Sequence, residues 1–485
     1  MNGPLKRAAV ACLVMFGLLM INVNYLQAVR AEDLRDDARN TRNFYARYEI
    51  ERGRITAGDK VLAESVDTGD NRFRFQRRYP EGPMYAHVTG FFSPESESAI
   101  EQTEDQLLDG SSPDLLIRRS IDLFTNKASK GANVDLTLLP KAQEAAYNAL
   151  RASGKRGAVV ALDPKTGAIL AMVSLPSYDP NKLSTTSKKD VFSLYDRLAE
   201  DKNQPLLNRA IDRTYPPGST FKVVTAAAYL EDDDSRDPQT IVDAPQVLDL
   251  PNTTADLPNS GGAACGAGRV TLVFALERSC NTPFGKIGME LGYDAMVAQA
   301  EKFGVGGERL EIPMGVVASD FGKQEDDAAL AQASIGQRSN RTTPLQMAMV
   351  AAGIANNGVV MKPYLVNKIA DAEGGEVESA EPEEWTEAVS EETAAKLREM
   401  MVSVVQNGTA TAAQINGVQV GGKTGTAETS EGQAPHAWFI SFAPAEDPKV
   451  AVAVIVESGS AGTDASGGVT AAPIAKSVME AVLNR

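Results

Sequence analysis

Three short stretches hold the residues that could do chemistry. The first, Tyr215-Pro216-Pro217-Gly218-Ser219-Thr220-Phe221-Lys222, runs on into Val223, Val224, Thr225 and three alanines. Its prolines and glycine hold a loop, and the residues after them read as the start of a largely apolar helix. Ser219 and Lys222 stand three positions apart, so both side chains leave one face of the first turn. A poorly solvated lysine gives up its proton readily, and a neutral lysine beside a hydroxyl can act as its base. Backbone N–H groups at a helix start are free to hold a developing oxyanion. The chemistry on offer is nucleophilic acyl transfer. By itself the stretch reads as readily as a capping serine followed by a lysine that reaches for solvent.

The second stretch, Ser279-Cys280-Asn281, comes after a helical run at 272–278 and supplies a hydroxyl and an amide in one turn. The third, Lys423-Thr424-Gly425-Thr426, lies in a strand-like run after Gly421 and Gly422. It offers a cation, hydroxyls and a close backbone approach to an extended ligand. Taken singly, these two read as a common turn and a common strand end. The chain has two histidines, His87 and His436, and neither lies in the nucleophile-elbow context that a Ser-His-Asp triad on this plan would use. Without Cys-x-x-Cys or His-Glu-x-x-His, no metal site is expected.

Elements from both ends of the chain must position these groups. Apolar runs at 157–162 and 168–173 flank Asp163-Pro164-Lys165-Thr166-Gly167 and predict a β-hairpin covered on both faces. Strand-like runs return at 419–428, 437–443 and 450–456, and an amphipathic helix at 472–482 closes the chain. Residues 175–355 read as helix and loop, which predicts one sheet with an inserted helical subdomain. The acidic stretch 371–392 reads partly as linker. Ser390 then caps a helix whose apolar face carries Leu397, Met400, Met401 and Val404. Residues 31–135 read as a small mixed domain without visible chemistry, including a charged stalk at 31–48 and an amphipathic piece at 117–123.

The net charge of −16 with no basic run argues against nucleic acid as a partner. Lys6 and Arg7 precede an apolar segment at 8–21 that fades by residue 28, the pattern of a membrane anchor or a signal peptide. Arg30 inside the candidate cleavage site Val29-Arg30-Ala31 favours an uncleaved anchor, and either way everything after it is exported. Cys12 lies in that anchor. Cys265 and Cys280, 15 positions apart, are left outside the reducing cytoplasm and are expected to form a disulfide.

Ser-x-x-Lys, Ser-x-Asn and Lys-Thr-Gly in this order are the signature of penicillin-binding proteins and serine β-lactamases. The chain resembles the class B penicillin-binding proteins over most of its length. Arg52-Gly53-Arg54-Ile55 resembles the entry to their N-terminal domain, and 158–174 with Pro176-Ser177-Tyr178-Asp179-Pro180 the start of their transpeptidase domain. Asn208-Arg209-Ala210, Ser334-Ile335-Gly336-Gln337 and Thr343-Pro344-Leu345-Gln346 fit as well. The short N-terminal domain is most similar to the actinobacterial penicillin-binding protein A subgroup. Arg338 stands where the family often has glycine, and Cys280 is an unusual middle residue of its motif.

The resemblance implies an α/β fold: an antiparallel sheet covered by helices, with an inserted all-helical subdomain. The transpeptidase domain would span 136–485, the mixed α+β domain 31–135, and the cytoplasmic tip and transmembrane helix 1–30. It implies a D,D-transpeptidase acting on peptidoglycan stem peptides that end in D-Ala-D-Ala, acylated by β-lactams and needing no cofactor. Ser219 would attack, Lys222 take its proton, and Ser279 and Lys423 relay a proton to the leaving D-alanine. Thr424 and Thr426 would hold the terminal carboxylate beside Gly425, and Asn281 the peptide amide. The enzyme would sit in the cell membrane as a single-pass protein, its catalytic domain outside the cytoplasm. With too few residues for a glycosyltransferase, it would take glycan from a SEDS-type polymerase. A β-lactamase or D,D-carboxypeptidase, in which water deacylates, and a β-lactam-sensing binding module are the alternatives.

Overall fold

A computed structural model describes residues 2–30, 47–70, 72–93, 96–115, 130–428, 434–457 and 466–484. Most of the expected stalk and all of the amphipathic piece at 117–123 lie outside the described residues. Helix α1 (Asn2–Ala28) is long and apolar enough to cross a membrane, and none of it packs against the rest of the protein.

The central sheet is antiparallel with five strands in the order β15-β16-β17-β5-β6. Its hairpin, β5 (Gly157–Leu162) and β6 (Ile169–Leu175), comes from one end of the chain. β15 (Gly421–Ala427), β16 (His436–Ala443) and β17 (Val450–Val456) come from the other. Every residue of β5, β6 and β17 is buried, which is why these runs are apolar without alternation. Helices α2 (Pro140–Ala152) and α8 (Ala472–Leu483) pack together over one face. Helix α6 (Pro344–Ala355), buried along its whole length, covers the other.

The inserted part holds α3 (Lys222–Asp232), α4 (Leu272–Glu277) and α5 (Asn281–Leu291). It is not purely helical. β7 (Ile241–Ala244) pairs with β10 (Gly268–Thr271), and β8 (Val247–Asp249) with β9 (Asp256–Pro258). Three or four residues each are too few to give a readable alternation. Helix α7 (Glu391–Gln406) starts where Ser390 Oγ accepts the Thr393 N–H, and it buries Leu397, Met400, Met401 and Val404.

A second sheet has six strands in the order β13-β12-β4-β1-β2-β3. β1 (Ile55–Ala57), β2 (Lys60–Asp67), β3 (Phe75–Arg78) and β4 (Asn133–Leu136) come from the N-terminal region. β12 (Val366–Ala370) and β13 (Glu376–Ser379) arrive from far downstream, with β4 paired parallel to β1 and antiparallel to β12. The acidic stretch read as linker therefore contains strands: β13, and β14 (Glu384–Glu387), which pairs with β11 (Val359–Met361). Their side chains are largely solvated, so they carry charge where a core strand would carry apolar residues.

The N-terminal region is held around a buried carboxylate. Glu101 accepts from Arg52 Nη2 at 3.0 Å, from Tyr79 Oη at 3.1 Å and from Arg77 Nε. Arg77 also donates to Gly53 O at 2.7 Å, and a Cβ on Gly53 would overlap Ala132 O. Burial raises the Glu101 pKa, but the two arginines outweigh it and hold the acid below its ordinary 4.5. A depressed carboxylate stabilises fully above its unfolded pKa and loses that stabilisation as pH falls through the folded value. Glu101→Gln leaves two guanidiniums buried without their counter-charge, and is expected to cost about 3–5 kcal/mol in urea unfolding at pH 7. Wild-type stability should fall on acidification below 4.5 by an increment that the variant lacks.

Candidate active site

The turn carrying Ser219 is clamped from three sides. Tyr215 exchanges two backbone hydrogen bonds with Thr342 at 2.9 Å, and Trp438 Nε1 donates to Pro216 O at 3.0 Å. Gly218 donates to Gly336 O at 2.9 Å, and a Cβ on Gly336 would lie 2.0 Å from Gly218 O. Residues Gly218–Phe221 form a 3₁₀ turn ahead of α3, where an α-helical start was expected. Side chains three apart leave the same side of a 3₁₀ turn, which sends Ser219 and Lys222 toward one face.

Lys222 is fully buried. Its Nζ donates to Ser279 O and Asn281 Oδ1, both at 2.7 Å, and stands 3.5 Å from Ser279 Oγ. Lys423, equally buried, donates to Ser279 Oγ at 2.8 Å and Thr424 O at 3.0 Å. No carboxylate pairs with either lysine among the described residues. Burial, reinforced by the charge of Lys423, drives the Lys222 pKa well below 10.5. Burial alone brings Lys423 to about 7. Both amines can be neutral at working pH, and the Ser279 hydroxyl lies between them.

Ser279 reaches that position through an unfavourable backbone. It has φ 58°, the left-handed region, as the C′ residue of a Schellman turn ending α4. Ser279 N donates to Leu276 O at 3.1 Å and Cys280 N to Ala275 O at 2.9 Å. Glycine would relieve about 1–2 kcal/mol of strain there, but would remove the hydroxyl that bridges the lysines.

Asn281 opens α5 without a local cap, because Cys280 has no capping oxygen. Asn259 caps it from a distance: its Oδ1 accepts from Asn281 N at 2.8 Å and Thr282 N at 3.1 Å. Asn281 Nδ2 in turn donates to Pro258 O at 2.9 Å. Cys265 and Cys280 are joined, Cα to Cα 5.9 Å, and fasten the same segment to the Ser279 loop.

Strand β15 closes the site. A Cβ on Gly425 would meet Thr220 Cγ2 and Trp438 Cβ at 2.9 Å, so only glycine lets the strand lie against the Ser219 turn. Thr424 Oγ1 is 2.6 Å from Thr409 Oγ1, and Thr426 is exposed. Ser219, Ser279, Asn281, Thr424 and Thr426 line one cleft of about 1330 Å³, with the two lysines beneath its floor.

Three positioning residues, Asn259, Trp438 and Glu457, carry no signal in the sequence. Glu457 accepts from Tyr215 Oη at 2.7 Å and pairs with buried Arg209 at 2.9 Å, fixing the entry to the Ser219 turn. Each acts across more than twenty residues, so no spacing announces it. Of the histidines, His436 lines the cleft with its ring 5.5 Å from Tyr215. His87 contacts Pro205 O at 2.8 Å and is pushed to about 4 by burial.

Fold and site together define a serine acyltransferase of the penicillin-binding type, and the chain belongs to that family. The family model described as penicillin binding protein transpeptidase domain matches residues 157–480, and that described as penicillin binding protein A dimerisation domain matches 52–134. Peptidoglycan D,D-transpeptidase PbpA of Mycolicibacterium smegmatis is 46% identical over 491 residues, covering 100% of this chain and 99% of the relative. Its namesake from Mycobacterium tuberculosis (strain H37Rv) is 44% identical over the same span and coverage. The solved penicillin G acyl-enzyme complex of penicillin-binding protein A from M. tuberculosis superposes with a TM-score of 0.85. That match has 44% identity and covers 90% of this chain and 100% of the other.

The disulfide closes a 15-residue separation, so replacing Cys265 and Cys280 with alanine should cost about 3 kcal/mol in denaturant unfolding under non-reducing conditions. Equal stability of wild type and double variant would contradict that contribution.

Proposed function

We propose that this chain is a membrane-anchored D,D-transpeptidase that cross-links peptidoglycan stem peptides through an acyl-enzyme on Ser219. The observation that carries the proposal is the pair of buried, carboxylate-free lysines flanking Ser279 Oγ, one of them a 3₁₀ turn from Ser219. Ser219 Oγ attacks the carbonyl of the D-Ala–D-Ala bond while neutral Lys222 takes its proton. Backbone N–H groups of Ser219 and Thr426 receive the oxyanion. The proton passes through Ser279, with Lys423, to the departing amine; the C–N bond breaks and D-alanine leaves. The amine of a neighbouring stem peptide then attacks the ester, forming the new amide and returning the proton to Ser219.

Thr424 and Thr426 hold the terminal carboxylate, Gly425 lets the peptide lie close to β15, and Asn281 takes the amide of the acyl half. β-Lactams enter as mimics of the same dipeptide, in keeping with the relatives' names and the penicillin G acyl-enzyme. Residues 1–30 would hold the chain in the membrane, 31–135 would serve as pedestal, and 136–485 would act outside the cytoplasm. A SEDS-type polymerase would supply the glycan. Hydrolysis as the main activity is the alternative reading; of the cleft carboxylates Asp256, Glu428 and Glu457, the last is engaged by Tyr215 and arginines.

Penicillin should add one covalent adduct, mapped to the peptide containing Ser219 and absent from Ser219→Ala; an adduct persisting in that variant would refute the assignment. Lys222→Arg keeps the charge but cannot act as a base, and should acylate at least about 10²-fold more slowly. Wild-type acylation should fall on acidification as the buried lysines take up protons, Lys423 at about 7. Removing its like charge in Lys423→Met lets the Lys222 pKa rise, moving the acid limb of the pH–rate profile to higher pH. The penicilloyl-enzyme should persist for many minutes, and rapid turnover of a chromogenic β-lactam would favour a hydrolase instead.

A further inference from the structure

The chain is strongly acidic overall, with net charge −16, yet one end of its cleft is lined by arginines. β15 pairs with β16 so that Thr426 faces Ala437 and Ala427 faces His436. His436 therefore marks the cleft one residue beyond Thr426. Burial lowers the His436 pKa, Glu457 opposes this, and the charges of Arg213, Arg156 and Arg341 lower it further, so three guanidiniums surround one imidazole. Arg156, Arg209 and Arg213 share a single carboxylate, Glu457, at 2.9, 2.9 and 3.6 Å. That cluster keeps an excess of positive charge, although Glu428, the residue after Ala427, also lines the cleft.

Arg338 and Arg341 add two more charges to the cleft lining, Arg341 on the segment whose Thr342 is bridged to Tyr215. Arg338 Nε donates to Gln332 Oε1 at 3.1 Å, and Arg341 Nη1 donates to the carbonyls of Arg338 at 2.6 Å and Asn340 at 3.1 Å. Neither pairs with a carboxylate among the described residues. Burial draws the Arg341 pKa down with no acid to offset it. Arg338 also has φ 59°, where a non-glycine residue costs about 1–2 kcal/mol. It lies two residues from Gly336, which is hydrogen-bonded to Gly218 beside the Ser219 turn.

We infer that Arg338 and Arg341, with the neighbouring Arg213, form a subsite for a second carboxylate on the acyl-donor stem peptide: a side-chain carboxylate on the residue preceding the two D-alanines. The inference rests on the transpeptidase reading and deepens it. A donor whose terminal carboxylate lies at Thr424 runs past Thr426 toward His436, advancing roughly 3.3 Å per extended residue. Its next side chain is then directed toward the part of the cleft that these arginines line. Planar, fork-shaped donors suit a carboxylate and not a carboxamide. An anionic peptide approaching an anionic protein also needs a local positive site to dock against.

The test uses two pentapeptides ending in D-Ala-D-Ala that differ only in a carboxylate or carboxamide on that side chain. D-alanine release is followed for the full-length protein, and benzylpenicillin acylation is measured on the same preparations. Wild type should prefer the carboxylate peptide by about tenfold in kcat/KM, expressed in KM and not in kcat. Arg338→Gly, which gives the backbone the residue its φ favours, should erase most of that preference, and Arg338→Lys should restore part of it. Equal kcat/KM for the two peptides with wild type would overturn the subsite, as would an unchanged preference in the Arg338→Gly/Arg341→Gln double variant. If wild type forms no penicilloyl adduct, the transpeptidase reading fails and the subsite fails with it.

Discussion

Two lysines buried without a carboxylate set the terms for the rest of this structure. An ammonium in that position is strongly disfavoured, so the folded protein prefers Lys222 and Lys423 as neutral amines. The unfolded chain holds those protons up to the ordinary 10.5 and therefore binds more of them than the native state does. Stability contributed by this region consequently rises with pH between about 7 and 10.5 for Lys423, and the same sign applies to Lys222. At neutral pH the site is a net cost, which the buried central sheet and its helical layers must offset. A lysine held in an ion pair would instead stay protonated and could not act as the base of the proposed mechanism.

Much of the surrounding architecture can be understood as keeping those amines dry and correctly aimed. The Ser279 loop accepts from both lysines only in a left-handed conformation, which the Schellman turn imposes on α4. Asn259 and the Cys265–Cys280 bridge prevent that loop from relaxing away, and the Gly425 contact keeps β15 against the Ser219 turn. These restraints come from four separated parts of the sequence. In the proposed mechanism, pre-organisation of this kind would let a hydroxyl between two amines pass protons without reorganising.

The site residues were legible only as a set, because Ser-x-x-Lys, Ser-x-Asn and Lys-Thr-Gly each read singly as a cap, a turn or a strand end. Ser390 is legible locally, by its place before an amphipathic helix. The β5 and β6 runs are readable because burial on both faces leaves no polar positions. The 3₁₀ form of the Ser219 turn was not legible, since it is imposed by contacts from Gly336, Thr342 and Trp438. Asn259 resembles any turn asparagine until α5 is brought against it. β13 and β14 carry glutamates because water covers them, so composition alone suggests a linker. Sequence displays what a residue is made of; the missed elements depend on what is packed beside it.

The six-stranded sheet has a consequence for how such proteins diversify. β4 lies between β1 and β12, with Asn133, Val134 and Asp135 opposite Ala370, Ile369 and Lys368. Asn367 Nδ2 also reaches Asp135 Oδ2 across 232 positions of sequence. A genetic crossover near residue 135 would give β12 a foreign neighbour, or leave its backbone groups as an open edge that invites association. The N-terminal strands and 366–379 therefore form one sheet that neither part completes alone. A viable chimera between relatives would have to exchange both segments at once, so the N-terminal strands and 366–379 are expected to change together and not as interchangeable modules.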